Sequence, residues 1–293
     1  MKEISHRDTE AEAFSQVENT SVSLCLCGLF LLFDNIPAMK AIIIGAGRGA
    51  RLKAMTDNQP KCYATVGGRR ILDWTLEAFD RAGLEKDKVF IGGYQIDQIK
   101  RDYPNLTFAH NADWQNNNIL LSLMHAEPYM DQGFVCAYSD ILFLDTVVRD
   151  AINHPGDIVL CVDTRWRERY ADRTQHPEHD AEKLSVTGDR VKEIHRGMPS
   201  EHADGEYIGV AKFTPRGAQL FKQHFHRIER EYARKPWREA KVFEKAYLIL
   251  LFQEMIEQGV PIHFVPTHGD YIEIDTEEDY ALANRDWPGK VAG

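Results

Sequence analysis

The sequence is short of several things, and each shortage excludes something. Its five cysteines are an odd number without paired spacing. That excludes a disulfide-stapled scaffold; the thiols, Cys62, Cys136 and Cys161 among them, read as reduced and structural, which suits the cytoplasm. Positive charge is scarce: 45 acidic residues outweigh 35 basic ones, for a formal net charge of -10. A chain that grips nucleic acid needs a basic face, so nucleic acid is not an expected partner. Long apolar runs are missing as well. The run Leu24–Phe33 is about half of the roughly 20 residues that span a bilayer, so no membrane partner is expected. With 20 glycines, 12 prolines and 27% charged residues, low complexity and disorder are also out.

What is present is a globular chain of 293 residues, ample for a sizeable core. Residues 1–38 stand apart. Their start is polar and mostly acidic (Glu3, Asp8, Glu10, Glu12), the apolar run follows, and Asp34-Asn35-Ile36-Pro37 closes it. The acidic lead-in disfavours a secretory signal. Met39-Lys40-Ala41-Ile42-Ile43-Ile44 looks like a natural beginning, so residues 1–38 are read as an extension, disordered or lying upstream of the true start. Residues 39–293 are read as the one folded domain.

From residue 40 the pattern alternates strands and helices. Strands are expected at 40–44, 89–93, 106–109, 134–138 and 157–162, with helices at 71–82 and 119–127. The second half adds a hairpin, 183–186 with 191–194, turning at Gly188-Asp189, and a long strand at 206–213. Helices at 215–234 and 240–258, strands at 262–265 and 271–274, and a last helix opened by Thr276-Glu277-Glu278-Asp279 complete it. The expected fold is α/β: a three-layer, Rossmann-like, mixed and mostly parallel sheet, with a small β insertion and C-terminal helices.

The loop after the first strand carries the chemistry. It reads Gly45-Ala46-Gly47-Arg48-Gly49-Ala50-Arg51-Leu52, with Pro60-Lys61 shortly after. Glycines there let backbone N–H groups approach a phosphate, and Arg48, Arg51 and Lys61 add charge in an acidic chain. It is not a Walker loop, since Gly-Lys-Ser/Thr is missing. Gly45-x-Gly47-x-x-Ala50 fits a loose dinucleotide fingerprint, but the second strand ends in Gly92-Gly93-Tyr94 where that fingerprint wants an acid.

The loop with Pro60-Lys61 resembles the signature of the nucleotidyltransferases that activate sugar phosphates and phosphoalcohols, with Gly45-Ala46-Gly47 in place of the family's usual Ala-Ala-Gly. Asn117-Asn118-Ile119, Glu182-Lys183-Leu184, Gly205-Glu206-Tyr207-Ile208-Gly209 and Glu273-Ile274-Asp275-Thr276 are similar to one branch, the bacterial CTP:phosphocholine cytidylyltransferases and their relatives. The resemblance covers residues 39–287. It implies a Mg2+-dependent catalytic domain that transfers a nucleotidyl group, cytidylyl by preference, from a triphosphate to a small phosphoalcohol or phosphonate. Arg51 and Lys61 would be catalytic. Gly45, Ala46, Gly47, Arg48, Gly49, Tyr94 and Asn118 would hold the nucleotide, and Asp140 and Asp275 the Mg2+. Lys183, Glu206 and Trp166 would face the acceptor.

The chemistry suits these residues. A phosphate monoester is largely ionised at pH 7, so the nucleophile needs no strong base. Bringing two anions together, and stabilising the leaving pyrophosphate, is the difficulty. A choline headgroup would want aromatic faces such as Trp166 and Tyr170; an amine would want carboxylates such as Glu206 or Asp113. His176, His179, His224 and His226 are read as structural or exposed. Two alternatives stay open: a sugar-1-phosphate nucleotidyltransferase using another triphosphate, and a nucleotide sensor without catalysis on the same fold. Oligomeric state is open, a homodimer included.

Overall fold

The computed structural model describes residues 39–171 and 173–291, which fall in one compact unit. The expectation about residues 1–38 lies outside the described residues. Strand β1 (Lys40–Gly45) is apolar and buried on both faces, because it is central: it pairs in parallel with β4 (Val89–Gly92) and with β6 (Phe134–Tyr138). A two-residue hairpin, β2 (Thr65–Val66) and β3 (Arg69–Arg70), lies between β1 and the first helix, α1 (Ile71–Arg81). Beyond β4 come α2 (Ile96–Asp102) and the edge strand β5 (Thr107–His110). Helix α3 (Ile119–Met124) is capped by Asn118, whose side chain accepts from the Ile119 amide at 2.8 Å.

The remaining strands are β7 (Ile141–Phe143), β8 (Ile158–Asp163), β9 (Lys183–Thr187), β10 (Arg190–Ile194), β11 (Gly205–Phe213), β12 (His263–Thr267) and β13 (Tyr271–Glu273). The nine-stranded main sheet runs β5-β4-β1-β6-β11-β8-β12-β10-β9. Only β11 and β10 run against the rest, so it is mixed and mostly parallel. Helices α4 (Asp145–Asn153), α5 (Trp166–Ala171), α6 (Pro215–Tyr232), α7 (Leu248–Glu257) and α8 (Glu277–Val291) complete the chain. One apolar cluster joins Leu160, Phe213 and Phe252; another joins Ile43, Phe79 and Phe90.

Three expectations are corrected. The helix expected from Ala240 begins at Leu248. Phe243 is drawn into the core beside Phe225 and Trp237, and the Phe243 amide donates to the Lys235 carbonyl at 2.8 Å, so burial overrides helix propensity over 240–247. The helix expected over 119–127 ends at Met124. And β13 does not join the main sheet: it pairs with β7 in a separate ribbon, with Glu273 opposite Ile141. That ribbon matters, because β7 follows Asp140 directly and β13 leads into Asp275.

Strand β11 is kinked. Its C-terminal half pairs with β6 and its N-terminal end with β9, while β8 pairs with both halves across an irregularity between Tyr207 and Ala211. Gly209 sits there at φ 81°, and a Cβ on it would lie 2.5 Å from the Tyr138 ring. Among the described residues no helix is long and apolar enough to cross a membrane. Cys62, Cys136 and Cys161 are free and buried, and burial pushes the first two thiols up to about 12.

Candidate active site

The Gly-rich loop leaves β1 at the end of the sheet where β4 and β6 also end. Gly45 leaves no room for a side chain: a Cβ would stand 2.5 Å from Phe90 and 2.9 Å from Ser139 Oγ. Gly49 takes φ 69°, and a Cβ on it would meet the Lys61 stem at 2.5 Å. Lys61 therefore lies directly against the loop. Tyr94 ties the loop down: its amide donates to the Ala46 carbonyl at 2.9 Å and its hydroxyl to the Asp57 carbonyl at 2.6 Å. Arg48 holds Asp57 at 2.6 Å and stands 5.8 Å from the Tyr94 ring.

Lys61 is 7% exposed and bridges two carboxylates, Asp140 at 2.8 Å and Asp275. Arg51 also holds Asp275, and reaches Asp180 at 3.3 Å. The Ile274 amide donates to the Asp140 carbonyl at 3.0 Å, which fixes the two aspartates side by side. Burial alone would lower the Lys61 pKa; Asp140 and Asp275 outweigh it and raise it, so the ammonium stays charged. Burial works against ionised Asp275 too, but Lys61 and Arg51 hold its pKa below the ordinary value.

Four residues scattered over more than 220 positions thus meet at one point. One atom there is unspent: Asp140 Oδ1 is buried and has no hydrogen-bond partner. Beside them, atoms of His176, Glu273 and Asp275 lie within 4.8 Å of one another. Burial and the Asp275 charge push the Glu273 carboxyl up to about 8.

No family model matches the chain. The CTP:phosphoglutamine cytidylyltransferase of Campylobacter jejuni is 27% identical over 251 residues, covering 82% of this chain and 97% of the relative. Over nearly its whole length the chain is thus similar to a nucleotidyltransferase. The 2-aminoethylphosphonate cytidylyltransferase of Lancefieldella rimae is 28% identical over 146 residues, which cover 44% of this chain and 56% of that relative. Two solved structures share the fold. The CTP:phosphocholine cytidylyltransferase of Streptococcus pneumoniae superposes with a TM-score of 0.65 at 20% identity, covering 84% of this chain and 98% of that one. The inositol-1-phosphate CTP transferase of T. maritima gives 0.65 at 19%, covering 85% and 96%.

A second cluster is built on β9 and the start of β11, where Glu206 stands opposite Lys183 and Asp163. Glu206 accepts from Arg169 and from the Tyr170 hydroxyl, the latter at 2.8 Å. Glu182 accepts from Arg196 at 3.0 Å and from the Tyr138 hydroxyl at 3.2 Å; burial raises its pKa. Lys183 is 2% exposed, donates to the Glu178 carbonyl at 3.3 Å, and has its pKa lowered by burial. A buried lysine so weakly partnered is suited to an anion.

Other expected site residues fare differently. Trp166 is 2% exposed and packs against Tyr170 and Ala181, so its ring fills a small core and offers no face to an acceptor. Asn118 caps α3, and its amide also reaches the Lys245 carbonyl at 3.3 Å. His179 and His226 match the structural or exposed reading, and His176 fits its structural half in a place the sequence did not indicate. It is buried, with Nδ1 3.2 Å from Asp279 and Nε2 3.6 Å from Glu273, beside the aspartate pair. Its motif, His176-Pro177-Glu178-His179, looks like an ordinary polar loop, so the sequence held no signal for its place.

Proposed function

We propose that this enzyme transfers a cytidylyl group from CTP to a small phosphorylated or phosphonate acceptor, releasing pyrophosphate, with Mg2+. The observation that carries the reading is Lys61 held between Asp140 and Asp275 against the Gly-rich loop, with Arg51 on the same aspartate. Two hard carboxylate oxygen donors and the bare Asp140 Oδ1 suit Mg2+, so Asp140 and Asp275 would hold the ion. When bound, it would supply charge stabilisation at the reacting phosphate.

The chain's own residues do the rest. The loop from Gly45 to Gly49 takes the triphosphate on its backbone N–H groups. Arg51 and Lys61 neutralise the phosphates that must come together and the pyrophosphate that leaves. Tyr94 and Arg48 keep the loop in place. Lys183 receives the acceptor's phosphate or phosphonate, whose ionised oxygen attacks the α-phosphate as the bond to pyrophosphate breaks.

The acceptor's other end is read as charged and amino-acid-like. A quaternary ammonium needs open aromatic faces. Three rings of this region are already covered by arginines: Arg196 lies 3.8 Å over Tyr247, Arg169 4.3 Å over Tyr271 and Arg173 5.3 Å from Tyr170. Paired carboxylates and guanidiniums at Glu182, Arg196, Glu206 and Arg169 suit an ammonium and a carboxylate on one molecule. This favours a phosphoglutamine-like acceptor over phosphocholine.

The test is pyrophosphate release with Mg2+, crossing the four ribonucleoside triphosphates with phosphoglutamine, phosphocholine, 2-aminoethylphosphonate, inositol 1-phosphate and glucose 1-phosphate. Release with CTP and phosphoglutamine is expected. Release only with glucose 1-phosphate would move the enzyme to the sugar branch. No release from any pair would overturn the reading.

A further inference from the structure

A groove of about 550 Å³ lies between the end of β8 with α5, the turn joining β12 to β13, and helix α8. In a chain of net charge -10 its lining is basic. Five cationic side chains, Arg165, Arg169, Arg173, Arg285 and Lys290, meet three carboxylates, Asp163, Glu168 and Asp286. Ile272 and Leu282 add an apolar wall. The volume falls in the range of small-ligand sites.

Two of these cations, Arg165 and Lys290, are held only loosely. Arg165 pairs with Glu168, three residues on, with both side chains exposed. Such exposed pairs are worth little in water and are readily exchanged for a better anion. Lys290 donates to the Gly269 carbonyl, a neutral partner. Arg169 is different. It is mostly buried and holds Asp163 at 2.8 Å through Nε and Glu206 through Nη2, while its Nη1 is buried without a hydrogen-bond partner. One guanidinium therefore lines this groove, keeps a donor in reserve, and anchors the carboxylate of the acceptor side.

We propose that the groove is a second anion site, taking a small phosphorylated molecule, and that its occupant competes with Glu206 for Arg169 and so weakens acceptor binding. An arginine fork prefers a phosphate to a singly charged carboxylate in the same geometry. Freed of Arg169, Glu206 keeps the Tyr170 hydroxyl but loses its counter-charge. The link is reciprocal: bound acceptor weakens the groove's hold on its anion. The binding claim stands on the groove alone, and the kinetic claim rests on the proposed function.

Inorganic tripolyphosphate is the probe, titrated calorimetrically into the full chain, Lys61→Ala and the double variant Arg165→Glu/Lys290→Glu. Two sites are expected in the full chain. Lys61→Ala should weaken one and the double variant should abolish the other. A single site lost in Lys61→Ala, or two sites that survive in the double variant, overturns the binding claim. Lys290→Glu alone, at a half-buried position near the end of α8, repeats the measurement if the double variant fails to fold. With saturating CTP, and whichever acceptor supports turnover, the probe should raise the acceptor KM about fivefold at constant kcat. The double variant should keep the kcat of the full chain and lose the KM effect. An unchanged KM in the full chain overturns the coupling, and absence of turnover with every acceptor defeats the functional reading while leaving the site count intact.

Discussion

Asp275 and Asp279 lie four residues apart at the entrance to α8, both buried, and do opposite work. Asp279 is bound to its own chain. It accepts from the Asp275 amide at 3.1 Å and from the Thr276 amide and hydroxyl at 2.9 Å each, with Arg173 and His176 alongside. Asp275 holds side-chain cations, Lys61 and Arg51. A carboxylate satisfied by backbone amides is fixed, because moving it would unmake the helix start. A carboxylate satisfied by lysine and arginine can share those partners with an incoming phosphate or trade them for a metal ion. The same residue type is a girder in one place and a handle in the other, and its partners make the difference.

That contrast is open to direct attack. Lys61→Ala and Asp140→Asn should each cut turnover about 10²–10³-fold, corresponding to roughly 3–4 kcal/mol of lost electrostatic stabilisation, in protein that circular dichroism shows still folded. Retained turnover in both would remove the aspartate–lysine cluster from the chemistry. Asp279→Ala should do the reverse. It strips the partner from buried Arg173 and His176 and should cost about 3–5 kcal/mol of stability, read as a lower denaturant midpoint. If this variant is as stable as the parent, Asp279 is no girder.

The pH dependence sharpens the same point. Burial works against the Asp279 charge, but the hydrogen bond to His176 and the nearby Arg173 hold its pKa down to about 2, from an ordinary 3.8. Because the folded value is the lower one, the stabilisation is present above pH 4 and is lost as pH falls through 2; it amounts to about 2 kcal/mol. Acid unfolding of Asp279→Asn should lack that step. Smallest is Gly49→Ala. The added methyl must accept φ 69° and push against the Lys61 stem, so about 1–2 kcal/mol of stability and a several-fold drop in kcat are expected together. A drop in stability without one in kcat would separate the loop from Lys61.

Much of the fold was legible in the sequence. Unbroken apolar runs such as Ala41-Ile42-Ile43-Ile44 can be stable only inside a sheet, and Ile71–Arg81 shows helical spacing that burial then rewards. Arg51 and Lys61 stood out as positive charge beside a Gly-rich loop, and the family resemblance singled out Asp140 and Asp275; the fold brings all four together. Trp166 was misread, since an aromatic ring in a basic stretch looks the same in sequence whether it faces a ligand or fills a core. The place of His176 was not legible for the same reason: burial beside Asp279, 103 residues away, is a property of packing.

The sequence by itself determined the alternation of strand and helix and the identity of the charged groups, because hydrophobic periodicity and glycine tolerance act over a few residues. It also determined that the chain would need local basic charge to hold a triphosphate, since its global charge is negative. Tertiary structure alone decided which charges meet. The ribbon of β7 and β13 sets Asp140 beside Asp275, the pairing of β11 with β8 sets Glu206 opposite Asp163 where Arg169 holds both, and arginines lie over the Tyr247 and Tyr271 rings. Coulomb energies depend on distances of a few ångström, and those distances are set by folding across hundreds of residues.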